Sequence, residues 1–248
     1  MNEELFLRHF QGTDTDAKDI LKAQRIAAAC LKHLETFLKP FMSYRDIHEE
    51  CRRYMLEGAA EGFWTHDDPA LILYGELSTY SAHESPVSLL ERIFVQEDDF
   101  ITVDVAPVVH QGWGDMARSY VMEKGSIIPW EETHDEEIRT GMELELFLHE
   151  CLLKQVKEDT TFAQLHDLME EILREHGYHN CDYHGNFGHT IEKDPAERIT
   201  IAAGVDLSIS AYDKPITFEP HICKDNGRYG IKHEDLYFFH EGKLRKLA

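Results

Sequence analysis

Five residues between positions 104 and 234 have the types that hold divalent metal ions: Asp104, Asp115, His189, Glu219 and Glu234. Asp104 lies in Ile-Thr-Val-Asp-Val-Ala, and Asp115 follows eleven residues later in Gly-Trp-Gly-Asp-Met-Ala-Arg-Ser-Tyr. His189 is in Gly-His-Thr-Ile, Glu219 in Ile-Thr-Phe-Glu-Pro and Glu234 in Lys-His-Glu-Asp-Leu. Four carboxylates and one imidazole suit a pair of fairly hard divalent ions. Brought together without cations, the carboxylates would repel one another. Two bound ions supply the missing charge and activate water for hydrolysis. Each phrase alone also has an ordinary reading, an edge-strand Asp or a core His; the ordered set is what points to a metal centre.

The elements that must position these residues follow from apolar spacing. From Ala17 to Phe41, Ile20, Ala23, Ala27, Leu31, Leu34 and Leu38 recur at helical intervals, with Asp14, Thr15 and Asp16 as N-caps and Pro40 at the end. Ser43 opens a second helix carrying Ile47, Cys51, Tyr54 and Met55. Strand-like pattern follows from Leu71 to Met122, where Ile101, Val103 and Val105 alternate with polar residues and Trp113 to Met122 reads as a return strand. Helices recur over Glu136 to Glu158 and Thr161 to Gly177. Ser43-Tyr-Arg-Asp-Ile-His-Glu matches Thr161-Phe-Ala-Gln-Leu-His-Asp by residue type at an offset of 118, which also sets Ile20 on Ile138 and Leu34 on Leu152. Strands are expected near Ile199 to Ala203 and Pro215 to Cys223, then a hairpin through Lys224-Asp-Asn-Gly227 into a last strand around Ile231 to His240. The chain therefore reads as α/β: two helix-helix-strand-strand halves, about 17–128 and 131–247, in one domain over 1–248. Pro129 and Trp130 mark the crossover.

Composition narrows the partners. The 248 residues include 47 acids and 25 bases, a formal charge of -22, which disfavours nucleic acid and anionic membrane surfaces as partners. Eight acids fall between Glu131 and Glu150 and read as lying mostly on a solvated helix face. The five cysteines, at 30, 51, 151, 181 and 223, are odd in number and form no Cys-x-x-Cys pair. That argues against a disulfide framework or zinc ribbon and suits a reducing cytosol. The first residues lack the pattern of a signal peptide, and no apolar run has the length of a membrane span. A cytoplasmic location is expected.

The layout resembles the pita-bread metallopeptidases, peptidase family M24, which include methionine aminopeptidase, aminopeptidase P, prolidase and creatinase. The resemblance covers about residues 17 to 247 and is carried by the five phrases in their order. It implies the pita-bread fold in two pseudo-symmetric halves. It implies that Asp104, Asp115, His189, Glu219 and Glu234 ligate two divalent ions, manganese, cobalt, iron or zinc, with Glu219 also the proton shuttle. His83, in His83-Glu-Ser-Pro86, matches the family's substrate-binding or proton-handling His, with a surface-loop His as the plain alternative. Two departures stand out. The family's further His, seven residues after the ligand His, is Ala196 here. His184 lies five residues before His189, where prolidase and aminopeptidase P types show a His four before; it is read as a catalytic candidate displaced by a bulge, or as a loop residue. Arg118 matches a frequent Arg and is expected to pair with a metal-bound carboxylate or to lie on the surface. His221 and His233 carry no assignment.

The implied activity is two-metal hydrolysis of short peptides, of aminopeptidase or Xaa-Pro peptidase type. Xaa-Pro preference stands ahead of methionine removal on the strength of His184 alone. An enzyme acting on a non-peptide C-N bond, creatinase-like, fits the altered segment after His189. A non-catalytic binding module that kept the fold is the third reading, and the complete ligand set argues against it. The implied partner is a small peptide or small amide; a homodimer is left open.

Overall fold

The apolar stripes read from the sequence fold as helices, each laid against strands. The computed structural model describes residues 2–64, 68–81 and 87–247. The first part comprises α1 (Asn2–His9), α2 (Ala17–Phe37), α3 (Tyr44–Glu57), β1 (Gly62–Phe63), β2 (Leu71–Tyr74), the one-turn α4 (Val87–Leu90), β3 (Asp99–Val105), β4 (Pro107–Val109), β5 (Gly112–Trp113), β6 (Met116–Glu123) and β7 (Ser126–Ile128). The second comprises α5 (Glu136–Gln155), α6 (Phe162–His176), β8 (Tyr178–Asn180), the short α7 (Ile209–Tyr212), β9 (Ile216–Phe218), β10 (His221–Lys224), β11 (Gly230–Lys232), β12 (Asp235–His240) and β13 (Lys243–Lys246).

The matched phrases at Ser43 and Thr161 start their helices by the same device. Ser43 Oγ accepts from the Asp46 amide while the Asp46 carboxylate accepts from the Ser43 amide. Thr161 and Gln164 make the same reciprocal pair. Each closes two backbone donors that a helix start leaves open. Gly177, in the left-handed region, ends α6 where the pattern predicted.

All strand pairs are antiparallel. β2, β3, β6 and β7 form a sheet in that order, with Asp104 opposite Leu71 on one side and Ala117 on the other. The second part builds two three-stranded sheets, β11-β10-β8 and β13-β12-β9. The long strand expected over 231–240 is broken at His233 and Glu234, and the one expected over 215–223 is broken at Glu219 and Pro220, so each glutamate sits where the chain changes sheets. Hydrogen bonds stitch β6 to this corner: the Glu234 amide donates to Ala117 O, and Ser119 Oγ bonds both the amide and the carbonyl of Lys232. This junction brings aspartates from the first part against glutamates from the second.

One buried cluster gathers α2, α3 and β2, β3, β6 side chains, and another gathers α5, α6 and the later strands. A third is made by α1, a helix the sequence reading did not foresee: Phe6 and Phe10 pack with Ile20, Trp113, Ile191 and Phe238. Three further expectations need correction. The segment Ile199 to Ala203 is not a strand but holds a single bridge from Thr200 to His189, pinned by Ile201 N to Gly188 O. Glu145, inside the acidic run read as solvated, is fully buried. Cys181, one residue past β8, is paired as a disulfide with Cys223 of the neighbouring β10, leaving Cys30, Cys51 and Cys151 free and buried. Forty-two residues separate that pair, and the sheet alone makes them neighbours. Among the described residues no helix is long and apolar enough to cross a membrane.

Candidate metal centre

Each of the five residues is delivered by a different stretch. Asp104 lies near the end of β3, and Asp115 precedes β6 in a loop pressed on α2. Gln24 of α2 holds both backbone groups of Asp115, accepting from its amide at 3.0 Å and donating to its carbonyl at 2.9 Å. The approach demands Gly114, where a Cβ would lie 2.7 Å from the Ala23 and Gln24 backbone. His189 rides on an extended segment beside β9, its carbonyl accepting from Thr217 N. Gly188 before it has φ +139°, and a Cβ there would meet Thr217 O at 2.3 Å.

These side chains converge as two overlapping groups. Ligand atoms of Asp115, His189 and Glu234 lie within 4.8 Å of one another, and so do those of Asp104, Glu219 and Glu234. Glu234 belongs to both. His189 Nε2 stands 3.5 Å from Asp115 Oδ2 and 3.4 Å from Glu219 Oε1. Its Nδ1 lies 3.1 Å from Thr190 O. A carbonyl can only accept, so Nδ1 carries a proton and fixes the ring with Nε2 toward the carboxylates, the orientation a metal-ligating His takes.

The electrostatics follow from burial and crowded like charge. Glu234 is 0 % exposed, and neither of its oxygens has a hydrogen-bond partner. Burial, then Asp115, Glu219 and Asp104, drives its carboxyl well above the usual range. Asp115 is pushed up to about 7, mainly by burial, with His189 opposing. Burial also raises Asp104, against Lys232. Burial works against the charge on His189, but Asp115 and Glu219 prevail and raise it. A cluster of buried carboxylates, one of them without a partner, with an imidazole nitrogen turned toward them fits a divalent cation.

A cation also stands within the centre, one that the sequence phrases contain but do not mark. Lys232 Nζ donates to Asp104 Oδ2 at 2.6 Å and to Glu219 Oε2 at 2.7 Å. Burial opposes its charge, yet Asp104, Glu219, Glu234 and Asp182 together hold the ammonium well above its ordinary value. Glu219 is lowered in turn: burial would raise it, but Lys232 and His189 outweigh that. Lys232 ends β11, and one residue, His233, separates it from Glu234.

The other candidates fall as follows. His83 lies outside the described residues. His184 is exposed, in the left-handed region at φ 53°, with its ring on Tyr183; its loop instead sends Asn186 Nδ2 to Glu219 Oε1 at 3.2 Å. Arg118 pairs with Asp235 at 2.7 Å and donates to Glu234 O at 2.6 Å, so it fixes the backbone of Glu234 and none of the five carboxylates. Ala196 is exposed on a short 3-10 turn. Trp64 and Trp113 stack at 5.0 Å and wall His189 at 5.8 and 5.6 Å. His221 Nε2 bonds Ser78 O.

Behind Glu234, His149 is buried with both nitrogens engaged. Nε2 donates to His233 O at 2.9 Å, and Nδ1 accepts from the Tyr237 hydroxyl at 2.6 Å. Burial, helped by His233, pushes it down to about 3. The unfolded chain therefore binds a proton there that the folded chain refuses. Stability contributed by neutral His149 is complete above about pH 6.5 and falls as the pH drops below it, at ~1.4 kcal/mol per pH unit down to the folded value. Denaturant unfolding should show about 2 kcal/mol more loss between pH 6.5 and 5 in the native chain than in His149→Gln. Equal slopes would mean that His149 is not held neutral.

The comparisons with known proteins fit this geometry. The model of metallopeptidase family M24 matches residues 18–241. The X-Pro aminopeptidase of Thermotoga maritima superposes over 100% of this chain and 64% of its own, with TM-score 0.77 and 19% identity. The prolidase of Pyrococcus furiosus does so over 95% and 64%, at 0.76 and 19%. The methionine aminopeptidase of Thermotoga maritima matches over 94% and 97%, at 0.71 and 15%. The fold is thus the mixed α/β pita-bread fold. The chain spans less than two-thirds of the length of the first two. No curated protein matches it by sequence.

Proposed function

We propose that this chain, which belongs to metallopeptidase family M24, is a metal-dependent hydrolase of short peptides whose metal centre is built from Asp104, Asp115, His189, Glu219 and Glu234. The supporting observation is Glu234, with both oxygens buried and unpartnered where the two ligand groups meet. A buried carboxylate without a donor or cation is strongly disfavoured. The donor set suits manganese, cobalt, iron or zinc. The stretches 17–128 and 131–247 are proposed as its two duplicated halves.

A bound ion supplies Lewis acidity for the amide carbonyl and a reactive water at neutral pH. The chain supplies position and proton traffic. Glu219, reachable by His189 and Asn186 at Oε1, is the group placed to take a proton from the attacking water and return it to the leaving nitrogen. Arg118 holds the Glu234 backbone from behind. The stacked Trp64 and Trp113 limit the water around His189. His83 is proposed, from its phrase alone, as donor to the developing oxyanion. His184 enters as a proton-handling group only if its loop moves inward.

An Xaa-Pro preference is proposed ahead of methionine removal, supported by neighbours that are themselves an X-Pro aminopeptidase and a prolidase. Ala196, standing where the family's further His is expected, favours a second reading, hydrolysis of a small non-peptide amide. The test is to strip the protein of metal and reload it with Mn²⁺, Co²⁺, Fe²⁺ or Zn²⁺. Turnover is then measured on Xaa-Pro dipeptides, methionyl peptides and small amides. Metal-restored turnover, greatest on Xaa-Pro, is expected. Turnover of small amides alone would select the second reading, and none under any metal would reject the hydrolase.

A further inference from the structure

Resting on that metal-centre reading, we infer that Lys232 takes the place of one of the two ions, so that the centre holds a single divalent ion on Asp115, His189 and Glu234. The side chain is committed to the site. Its Nζ sits 2.6 Å from Asp104 and 2.7 Å from Glu219, the two carboxylates that with Glu234 make the second ligand group. It is 4 % exposed, so the ammonium has no route to water that keeps its stem in place. Its backbone is fixed by Ser119 on one side and by pairing with His221 on the other.

The two ligand groups differ in what they lack. In the Asp104, Glu219, Glu234 group, two carboxylates already have a cation at hydrogen-bond distance. In the Asp115, His189, Glu234 group, no lysine or arginine pairs with either carboxylate among the described residues, and Glu234, which both groups share, has no partner at either oxygen. The demand for a cation is therefore concentrated at the second of these. Charge agrees. With all four carboxylates ionised, as metal ligands must be, and the ammonium present, the formal charge is three negative; one divalent ion reduces it to one negative, and a second would make it one positive. A second ion on Asp104 and Glu219 would also have to share both carboxylates with the buried ammonium, a like charge that a low-dielectric site screens weakly.

The mechanistic consequence concerns Glu219. Lys232, not a second ion, neutralises one face of this proton carrier and fixes its Oε2, leaving Oε1 toward His189. Lys232 acts through Glu219 and Asp104 and is a positioning residue.

The test counts ions. Metal-free protein is titrated with Mn²⁺ by isothermal titration calorimetry, with the bound metal measured after dialysis and by electron paramagnetic resonance. The native chain should bind one Mn²⁺ and give the spectrum of an isolated ion. Lys232→Met should bind two and give a spin-coupled pair, while Lys232→Arg, which keeps a cation, should stay at one. Two ions in the native chain overturn the inference and leave the metal-centre reading standing. One ion in a folded Lys232→Met also overturns it, since the lysine would then exclude nothing. No binding by the native chain at millimolar Mn²⁺ removes the metal-centre reading itself. If Lys232→Met does not fold, the native count and Lys232→Arg decide.

Discussion

Asp115→Ala should abolish hydrolysis and leave the fold standing. The side chain is buried, but its carboxylate contacts are within the centre, and its backbone is held separately by Gln24. Truncation removes no apolar packing, and it removes a charge that burial disfavours, as the carboxyl pushed up to about 7 shows. The metal-free variant should therefore unfold within about 1 kcal/mol of the native chain or above it. Activity should fall by about 10³-fold or more, because a lost ligand removes Lewis acidity worth several kcal/mol in the transition state. Glu219→Ala should lose as much activity and also lose stability. It leaves Lys232 buried with Asp104 as its one close carboxylate and strips the acceptor from Asn186. A cost of about 2 kcal/mol is expected for this half-broken buried pair. Steady-state kinetics with parallel denaturant unfolding read both effects. Near-native turnover by either variant would remove the assigned residue from the chemistry.

What the sequence made legible was what local rules encode. The two capping boxes could be read from Ser43, Asp46, Thr161 and Gln164, because a cap is decided within four residues. The positions of the five acidic and imidazole groups could be read from their phrases, and the fold draws all five into one cluster. What escaped was set by long-range pairing. The Cys181–Cys223 bridge depends on β8 lying beside β10. The burial of Glu145 depends on which turn of α5 faces the corner at His233, whose amide its carboxylate accepts. Asn186 rather than His184 meets Glu219 because His184 takes a left-handed backbone that turns the loop. Lys232 was visible in the phrase of Glu234, two positions ahead of it. Its meaning required knowing that Asp104 and Glu219 lie across the corner from it.

Glu234→Gln separates stability from function at the same atom. Today both carboxylate oxygens are buried without a donor, among Asp115, Glu219 and Asp104. The amide has nearly the same shape and no charge, and its two N–H groups face carboxylates able to accept. Metal-free Glu234→Gln should thus be more stable than the metal-free native chain, by about 2 kcal/mol at neutral pH, the scale of one relieved buried polar group. Metal should reverse the order. The native chain gains stability as RT ln(1 + [M]/Kd), about 2.7 kcal/mol when the ion is at 100 times Kd. The variant has lost the ligand that both groups share and should gain little. Thermal unfolding of the two proteins, with chelator and with Mn²⁺, gives four melting temperatures that should cross. A variant that melts lower than the native chain in chelator would mean that Glu234 is satisfied in the metal-free fold. A variant stabilised by Mn²⁺ as strongly as the native chain would mean that the shared carboxylate is not a ligand.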